Sequence, residues 1–392
     1  MVKTLETKGE RMIRHTGANM ETVRRRNRAA ILKYINDHGP ASRKDLAEVL
    51  GLTPAAVTQI CTDLFEEGIL IETGINVKSS GAGRKKVLLD INFAAAYVCA
   101  MTIEPEHTTV TLSDFRGEVV ASERCKTDTS VTPEVYLNHL AQTAKCLITT
   151  YGDETKKLAA VGVGITGLVD KESGSSIKAY GIWDESVAIS EILGQHFDAP
   201  IYVENNVNAF AMAELLYGTG KEHDNLMVIK WGPGVGCAII IDQEIYEGRH
   251  AKAAELGHFI VEKNGALCKC GRHGCLETKV SYSALCEIAP FTEENFGEMF
   301  IQNRENTIGE RFMEAMDLFA RSIVNSATIM APNRIILTGC LFENSCVREA
   351  LIAACSSYDT SLGADRILYS GLAQKEHYIG PVAICAKMLL YS

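Results

Sequence analysis

Between Thr22 and Asn36, apolar residues fall at Ala29, Ile31, Leu32 and Ile35, a spacing that gathers them on one side of a helix. His38-Gly39-Pro40 ends that helix. Ser42 is placed to cap a second, shorter helix, with Asp45 following as an approximate capping box. Leu46, Val49 and Leu50 form its apolar face, and Gly51 stops it. Thr53 is the next N-cap, and Pro54 takes the first helical position, where a missing N–H costs nothing. Val57, Ile60, Cys61, Leu64 and Phe65 line the inner face of this third helix, and Gly68 closes it. Two strands follow, Ile69–Glu72 and Val87–Leu89, joined by the basic stretch Ser79-Ser80-Gly81-Ala82-Gly83-Arg84-Lys85-Lys86. Helix, short helix, tight turn, helix and a two-stranded wing make an all-α-plus-wing unit, a winged helix-turn-helix over residues 20–90.

From Ala95 onward the pattern changes. Strand-like apolar runs at Tyr97–Ile103, Thr109–Leu112, Glu118–Ala121, Leu158–Ile165, Ile201–Val203, Leu226–Lys230 and Gly236–Ile241 alternate with helical stretches at Pro133–Thr150 and Asn208–Tyr217. Such alternation predicts an α/β body. The longest apolar runs are too short or too interrupted to span a bilayer: Leu226–Ile241 is broken by Lys230 and glycines. The mixed, charged Met1–Glu6 does not read as a signal peptide. The expectation is a cytoplasmic protein with no membrane partner.

Charge divides the chain. Residues 1–90 carry 15 Lys+Arg against 11 Asp+Glu, whereas the remainder is strongly acidic and brings the whole to −10. A basic head on an acidic body suits an N-terminal nucleic-acid contact and excludes the body as a phosphate-backbone binder. The outer face of the third helix offers Thr53, Ala55, Ala56, Thr58 and Gln59, small or hydrogen-bonding side chains that allow close approach to a major groove. Arg84, Lys85 and Lys86 at the wing can reach phosphates or the minor groove, and Arg24-Arg25-Arg26 with Arg28 forms a second basic patch. A three-helix protein-interaction module is the rival; the basic wing favours operator DNA.

Three motifs in the body carry chemistry. They are Val203-Glu204-Asn205-Asn206-Val207-Asn208-Ala209, the Gly-rich turn Lys230–Gly236, and the run from Glu255-Leu256-Gly257-His258 through Cys268-Lys269-Cys270-Gly271 to Gly274-Cys275-Leu276-Glu277. The chain has 13 cysteines, most of them isolated in apolar runs, but Cys268, Cys270 and Cys275 crowd together. Without an export signal such a cluster points to metal rather than disulfides. With His258 it offers one imidazole and three thiolates, a closed tetrahedral set that predicts a structural Zn2+ with no position left for a reactive water.

The spacing His258-x9-Cys268-x-Cys270-x4-Cys275, followed by Leu276-Glu277, resembles the signature of the ROK family, whose repressors and sugar kinases share an actin-like, hexokinase-like fold. The winged head with its Ser-Ser-Gly-x-Gly-Arg tip resembles the repressor branch. The resemblance implies a two-lobed body, with one lobe over residues 91–203 and a second over 204–392 that holds the zinc loop, the last helix packing back on the first lobe. It also implies that Glu255, His258 and Glu277 contact sugar hydroxyls while Asn205 and Asn206 approach from the other lobe. Carboxylates and amides pair well with vicinal hydroxyls.

Two departures bear on activity. Family kinases place an aspartate general base where this chain has Asn206, and loss of a general base costs on the order of 10²–10⁴-fold in rate. Their first phosphate loop is Gly-rich; here the corresponding hairpin, Met101–Thr109, has no glycine, and Glu104 and Glu106 would repel a phosphate. The expectation is therefore a sugar-responsive repressor of carbohydrate genes that is not an enzyme. It would act as a homodimer or homotetramer on a pseudo-palindromic operator. The rivals are an ATP-dependent sugar kinase with an added DNA head, and a repressor governed by a partner protein.

Overall fold

The computed structural model describes residues 20–77, 86–249 and 253–392. The chain divides into two compact units, one running to Ile91 and including Leu390–Ser392, the other spanning Asn92–Leu389.

In the head, α1 (Met20–His38), α2 (Arg43–Val49) and α3 (Pro54–Glu66) precede β1 (Leu70–Val77) and β2 (Lys86–Ile91), which pair antiparallel with Leu70 opposite Ile91. Both predicted caps form. The Ser42 hydroxyl accepts the Asp45 N–H at 3.3 Å, and the Thr53 hydroxyl accepts the Ala56 N–H at 3.3 Å. Ile31, Leu32, Ile35, Leu46, Val57, Ile60, Cys61 and Leu64 are buried together with Leu70, Leu89 and Ile91. Val49 departs from the expected face: it is 58% exposed, while Ala47 is buried. Leu46, Ala47 and Leu50 centre on one direction of the helix, and Val49 lies about 110° from it at 100° per residue. Lys86 is the first residue of β2 rather than part of the tip. Arg84 and Lys85 lie outside the described residues.

The body repeats one plan twice. β3 (Tyr97–Ile103), β4 (His107–Ser113) and β5 (Val119–Lys126) form an antiparallel meander, and α4 (Pro133–Tyr151) crosses to β6 (Leu158–Ile165), parallel to β3. The hairpin β7 (Leu168–Asp170) and β8 (Ser175–Lys178) and then α5 (Ile189–Gly194) lead to β9 (Ile201–Asn205), parallel to β6. α6 (Asn206–Tyr217) passes to the second sheet, where β10 (Leu226–Trp231), β11 (Val235–Ile241) and β12 (Glu244–Ile245) form another meander. α7 (Glu277–Val280), α8 (Tyr282–Cys286), α9 (Phe296–Gln302) and α10 (Thr307–Met330) precede β13 (Arg334–Thr338), parallel to β10. α11 (Ser345–Tyr358) leads to β14 (Ile367–Tyr369), parallel to β13, and α12 (Glu376–Leu390) follows. The sheet orders, β5-β4-β3-β6-β9 and β12-β11-β10-β13-β14, are the same arrangement in two lobes.

Each lobe has its own core. Leu137, Leu140 and Ala144 of α4 pack with Met101, Val161 and Val163 of the first sheet. In the second lobe Trp231 is the hub, its ring 5.0–6.0 Å from Phe296, Phe319 and Phe342, with its Nε1–H donating to the Val280 carbonyl at 2.6 Å. α12 lies against β6 of the first sheet. A Cβ at Gly162 would come within 2.3 Å of the Pro381 carbonyl oxygen, so this contact admits only glycine. No helix among the described residues is long and apolar enough to cross a membrane.

Candidate functional site

A cleft of about 130 Å³ opens in the body, between the C-terminal ends of β3, β6 and β9 on one side and the β10–β11 turn with the loop after β12 on the other. Asn205, Asn206, Glu255, His258 and Glu277, which the sequence singles out, all line it. Asn205 is committed to the backbone. Its Oδ1 caps α6, accepting from the N–H groups of Val207 at 2.9 Å and Asn208 at 3.2 Å, and its Nδ2 donates to the Gly167 carbonyl at 2.8 Å. This cap starts α6 at Asn206, two residues before the start expected from the apolar pattern. Asn206 Nδ2 donates to Glu104 Oε1 at 2.8 Å and to Thr166 Oγ1 at 3.4 Å, leaving Oδ1 as its acceptor.

Glu104 leads to a group the sequence did not single out. Lys230 Nζ lies 2.5 Å from Glu104 and 2.8 Å from Glu376, and the Thr338 hydroxyl donates to the other oxygen of Glu376. Burial alone would push the Glu104 carboxyl up, but Lys230 and the Asn206 amide outweigh it and hold the group below the usual carboxylate range. Burial alone would likewise lower Lys230, yet its two carboxylates raise it above the ordinary lysine value. Glu104 is thus not the free negative charge that the sequence suggested. One signal was available: Lys230 interrupts an otherwise apolar strand.

The metal set is assembled. The ligand atoms of His258, Cys268, Cys270 and Cys275 lie within 4.8 Å of one another. His258 Nδ1 is 3.5 Å from Cys268 Sγ, and Cys270 Sγ is 3.6 Å from Cys275 Sγ. Bonds of about 2.0–2.3 Å in a tetrahedron give edges of about 3.3–3.8 Å, so these pairs fit a single ion. The loop can close this tightly because Gly274 takes φ +73°, and a Cβ there would lie 1.8 Å from the Glu262 carbonyl oxygen. The cluster can hold a metal.

The same loop faces the cleft. His258 turns Nδ1 to the thiols and Nε2 toward Glu255, 3.6 Å away, with Tyr180 packed edge-on against its ring. Glu277 accepts the Val235 N–H at 3.1 Å and pairs with Lys269 at 3.3 Å. The Gly-rich turn is shaped around it, since a Cβ at Gly234 would sit 2.7 Å from Glu277 Oε2.

On the head, Thr53, Ala55, Thr58 and Gln59 are exposed along α3 and Ala56 is half-buried. The basic residues of the head also have partners within it. Arg24 pairs with Asp63, Arg28 lies 2.6 Å from Glu67, and Lys86 lies 2.5 Å from Asp45. Three of the expected phosphate contacts are therefore engaged by the head's own carboxylates, and Arg25 and Arg26 remain exposed.

A winged head joined to a two-lobed body of duplicated sheets, with a polar cleft beside a Cys/His cluster, defines a class: a transcription regulator built on a sugar-kinase frame. The ROK family model matches residues 99–386, and a winged helix-turn-helix DNA-binding model matches residues 24–71. The chain belongs to the ROK family. It is 30% identical over 270 residues to the DNA-binding transcriptional dual regulator NagC of Escherichia coli K12, covering 68% of this chain and 65% of NagC. It is 26% identical over 331 residues to the xylose repressor of Bacillus subtilis, covering 83% of this chain and 85% of that one. The crystal structure of a ROK family transcriptional regulator, a homolog of the E. coli MLC protein, superposes with a TM-score of 0.79 at 22% identity, over 94% of this chain and 97% of that one.

Proposed function

We propose that this protein represses genes of carbohydrate uptake or catabolism and that a sugar or sugar derivative in the cleft sets its hold on operator DNA. The winged head reads DNA through Thr53, Ala55, Ala56, Thr58 and Gln59, with Arg84, Lys85 and Lys86 at the wing. Asn205, Asn206, Glu255, His258 and Glu277 hold the effector. The protein works in the cytoplasm as a homodimer or homotetramer on a two-fold operator. The boundaries that serve this division of labour are 20–90, 91–203 and 204–392. A Zn2+ held by His258, Cys268, Cys270 and Cys275 fixes the His258 ring at the cleft edge, and its closed ligand set gives it a structural role.

One observation carries the reading. Asn206 holds the cleft floor where the family's kinases need a proton acceptor, and its amide is donating to Glu104. An amide does not take a proton from an attacking hydroxyl. Glu104, the neighbouring carboxylate, is tied to Lys230. The cleft therefore binds a polyol without phosphorylating it. The ligand acts by binding the DNA-competent and DNA-incompetent states unequally.

The test is operator affinity across a panel of pentoses, hexoses and N-acetylhexosamines, free and phosphorylated. At least one ligand should shift it fivefold or more. No shift with any of them would remove the effector role. ADP release from ATP with these sugars should stay at background; sugar-dependent turnover would restore the kinase reading.

A further inference from the structure

We infer that the body carries a second ligand site, apart from the effector cleft, and that it takes a neutral aromatic molecule of one or two rings. The inference is independent of what the cleft holds.

The duplicated fold leaves this site open. β9 and β12 are the outer strands of their two sheets, and α6 contacts both of them. Beside them lies a cavity of about 300 Å³, larger than the cleft of about 130 Å³. Its apolar lining comes from Tyr202 of β9, Met212 of α6, Ile245 of β12, and Ile384 and Met388 of α12. None of these five belongs to the core around α4 or to the core around Trp231. Each core closes on its own sheet, and the space between the two outer edges is left unfilled. The cavity is separate from the cleft. Glu204 and Asn208 line both and form the partition. Glu204 Oε1 accepts the Asn205 N–H at 2.8 Å and an Asn208 Nδ2 hydrogen at 3.3 Å, while its Oε2 faces Lys171 at 2.9 Å.

The lining selects the ligand. Ligand sites begin at about 300 Å³, and an apolar cavity of about 150 Å³ already takes benzene, so one or two rings match the space. Methionines give an adaptable wall that makes favourable sulfur–aromatic contacts, and the Tyr202 ring adds an aromatic partner. Both lysines of the lining are already paired. Lys171 is held by Glu204 and Glu247, and Lys387 lies 2.9 Å from Glu244. An anionic ligand would have to compete with these carboxylates for a cation; a neutral ring leaves the bridges intact.

Methyl-methionine NMR of the full chain titrated with indole tests this. Met212→Leu and Met388→Leu, which keep the side-chain volume, assign the two signals among the 11 methionines. Both signals should shift together with one dissociation constant of about 1 mM or below. Indole-3-acetate, the same ring with a carboxylate, should bind about fivefold or more weakly. Met388 is 47% exposed, so Met388→Trp can fold normally while its own ring fills the cavity. In that variant the Met212 shift should need about tenfold more indole. No shift at Met212 and Met388, or equal shifts spread over the other methionines, overturns the site. Equal affinity for the two probes overturns the neutral ligand class. Unchanged indole affinity in the folded Met388→Trp variant overturns the placement.

Discussion

Lys230→Met isolates the ion triad between the lobes. The side chains of Lys230, Glu104 and Glu376 are 13%, 21% and 9% exposed. Removing the lysine leaves two carboxylates facing each other with no cation between them. Breaking a buried pair from one side costs about 3–5 kcal/mol, and the residual exposure of Glu104 places this case near the low end, about 3 kcal/mol. For a unit of this size each kcal/mol lowers the melting temperature by roughly 2 °C, so a drop of about 6 °C is expected by calorimetry at pH 7.5. The deficit has a definite pH dependence. In the variant the paired carboxylates hold protons more tightly than in the unfolded chain, so the penalty applies at neutral pH and shrinks as pH falls toward 5. The triple variant Glu104→Gln, Lys230→Met, Glu376→Gln removes all three charges and should recover most of the loss, because replacing a whole buried ion group is often close to neutral. A single variant melting within about 1 °C of the parent, or a triple variant no better than the single, would refute the reasoning.

Four further variants have expected outcomes. Cys275→Ser removes one of the three thiols facing His258, and bound zinc by elemental analysis should fall from about one ion per chain to a small fraction of that. Gly274→Ala should do the same without touching a ligand, since its Cβ would clash with the Glu262 carbonyl. Glu214 is fully buried and receives the Ser370 hydroxyl and the Thr219 N–H. Burial raises its pKa; the folded state therefore gains stability from this group below the unfolded carboxylate pKa and loses it as pH rises through the raised value. Glu214→Gln should raise the melting temperature at pH 8 and leave it nearly unchanged at pH 4. Gln59→Ala on the exposed face of α3 should weaken operator binding by about 1–3 kcal/mol in gel shift, with little change in melting temperature.

What the sequence could reveal depended on how local the cause was. Caps and turns are decided within four residues, so Ser42, Thr53 and the helices they start were legible. The metal set was legible because three ligands fall within eight residues and a Cys/His set has few other uses outside the export route. The partners of the basic residues in the head were not legible. A run of arginines reads as a phosphate patch until Asp63 and Glu67, about forty residues away, are brought beside Arg24 and Arg28. Asn205 has a role the pattern did not show: its side chain caps α6.

The triad was the least legible because its members come from three distant stretches, and its placement follows from the duplicated fold. β3 and β10 are the equivalent first strands of the two sheets. Glu104 follows the end of β3 and Lys230 stands one residue before the end of β10, so each lobe brings one half of an ion pair to the same cleft. In α/β sheets the carboxyl ends of parallel strands are where ligands are held. Here those ends carry charges that neutralise each other. Because Asn206 donates to the same Glu104 oxygen that Lys230 reaches, a hydroxyl bound at Asn206 changes the surroundings of the bridge joining the lobes.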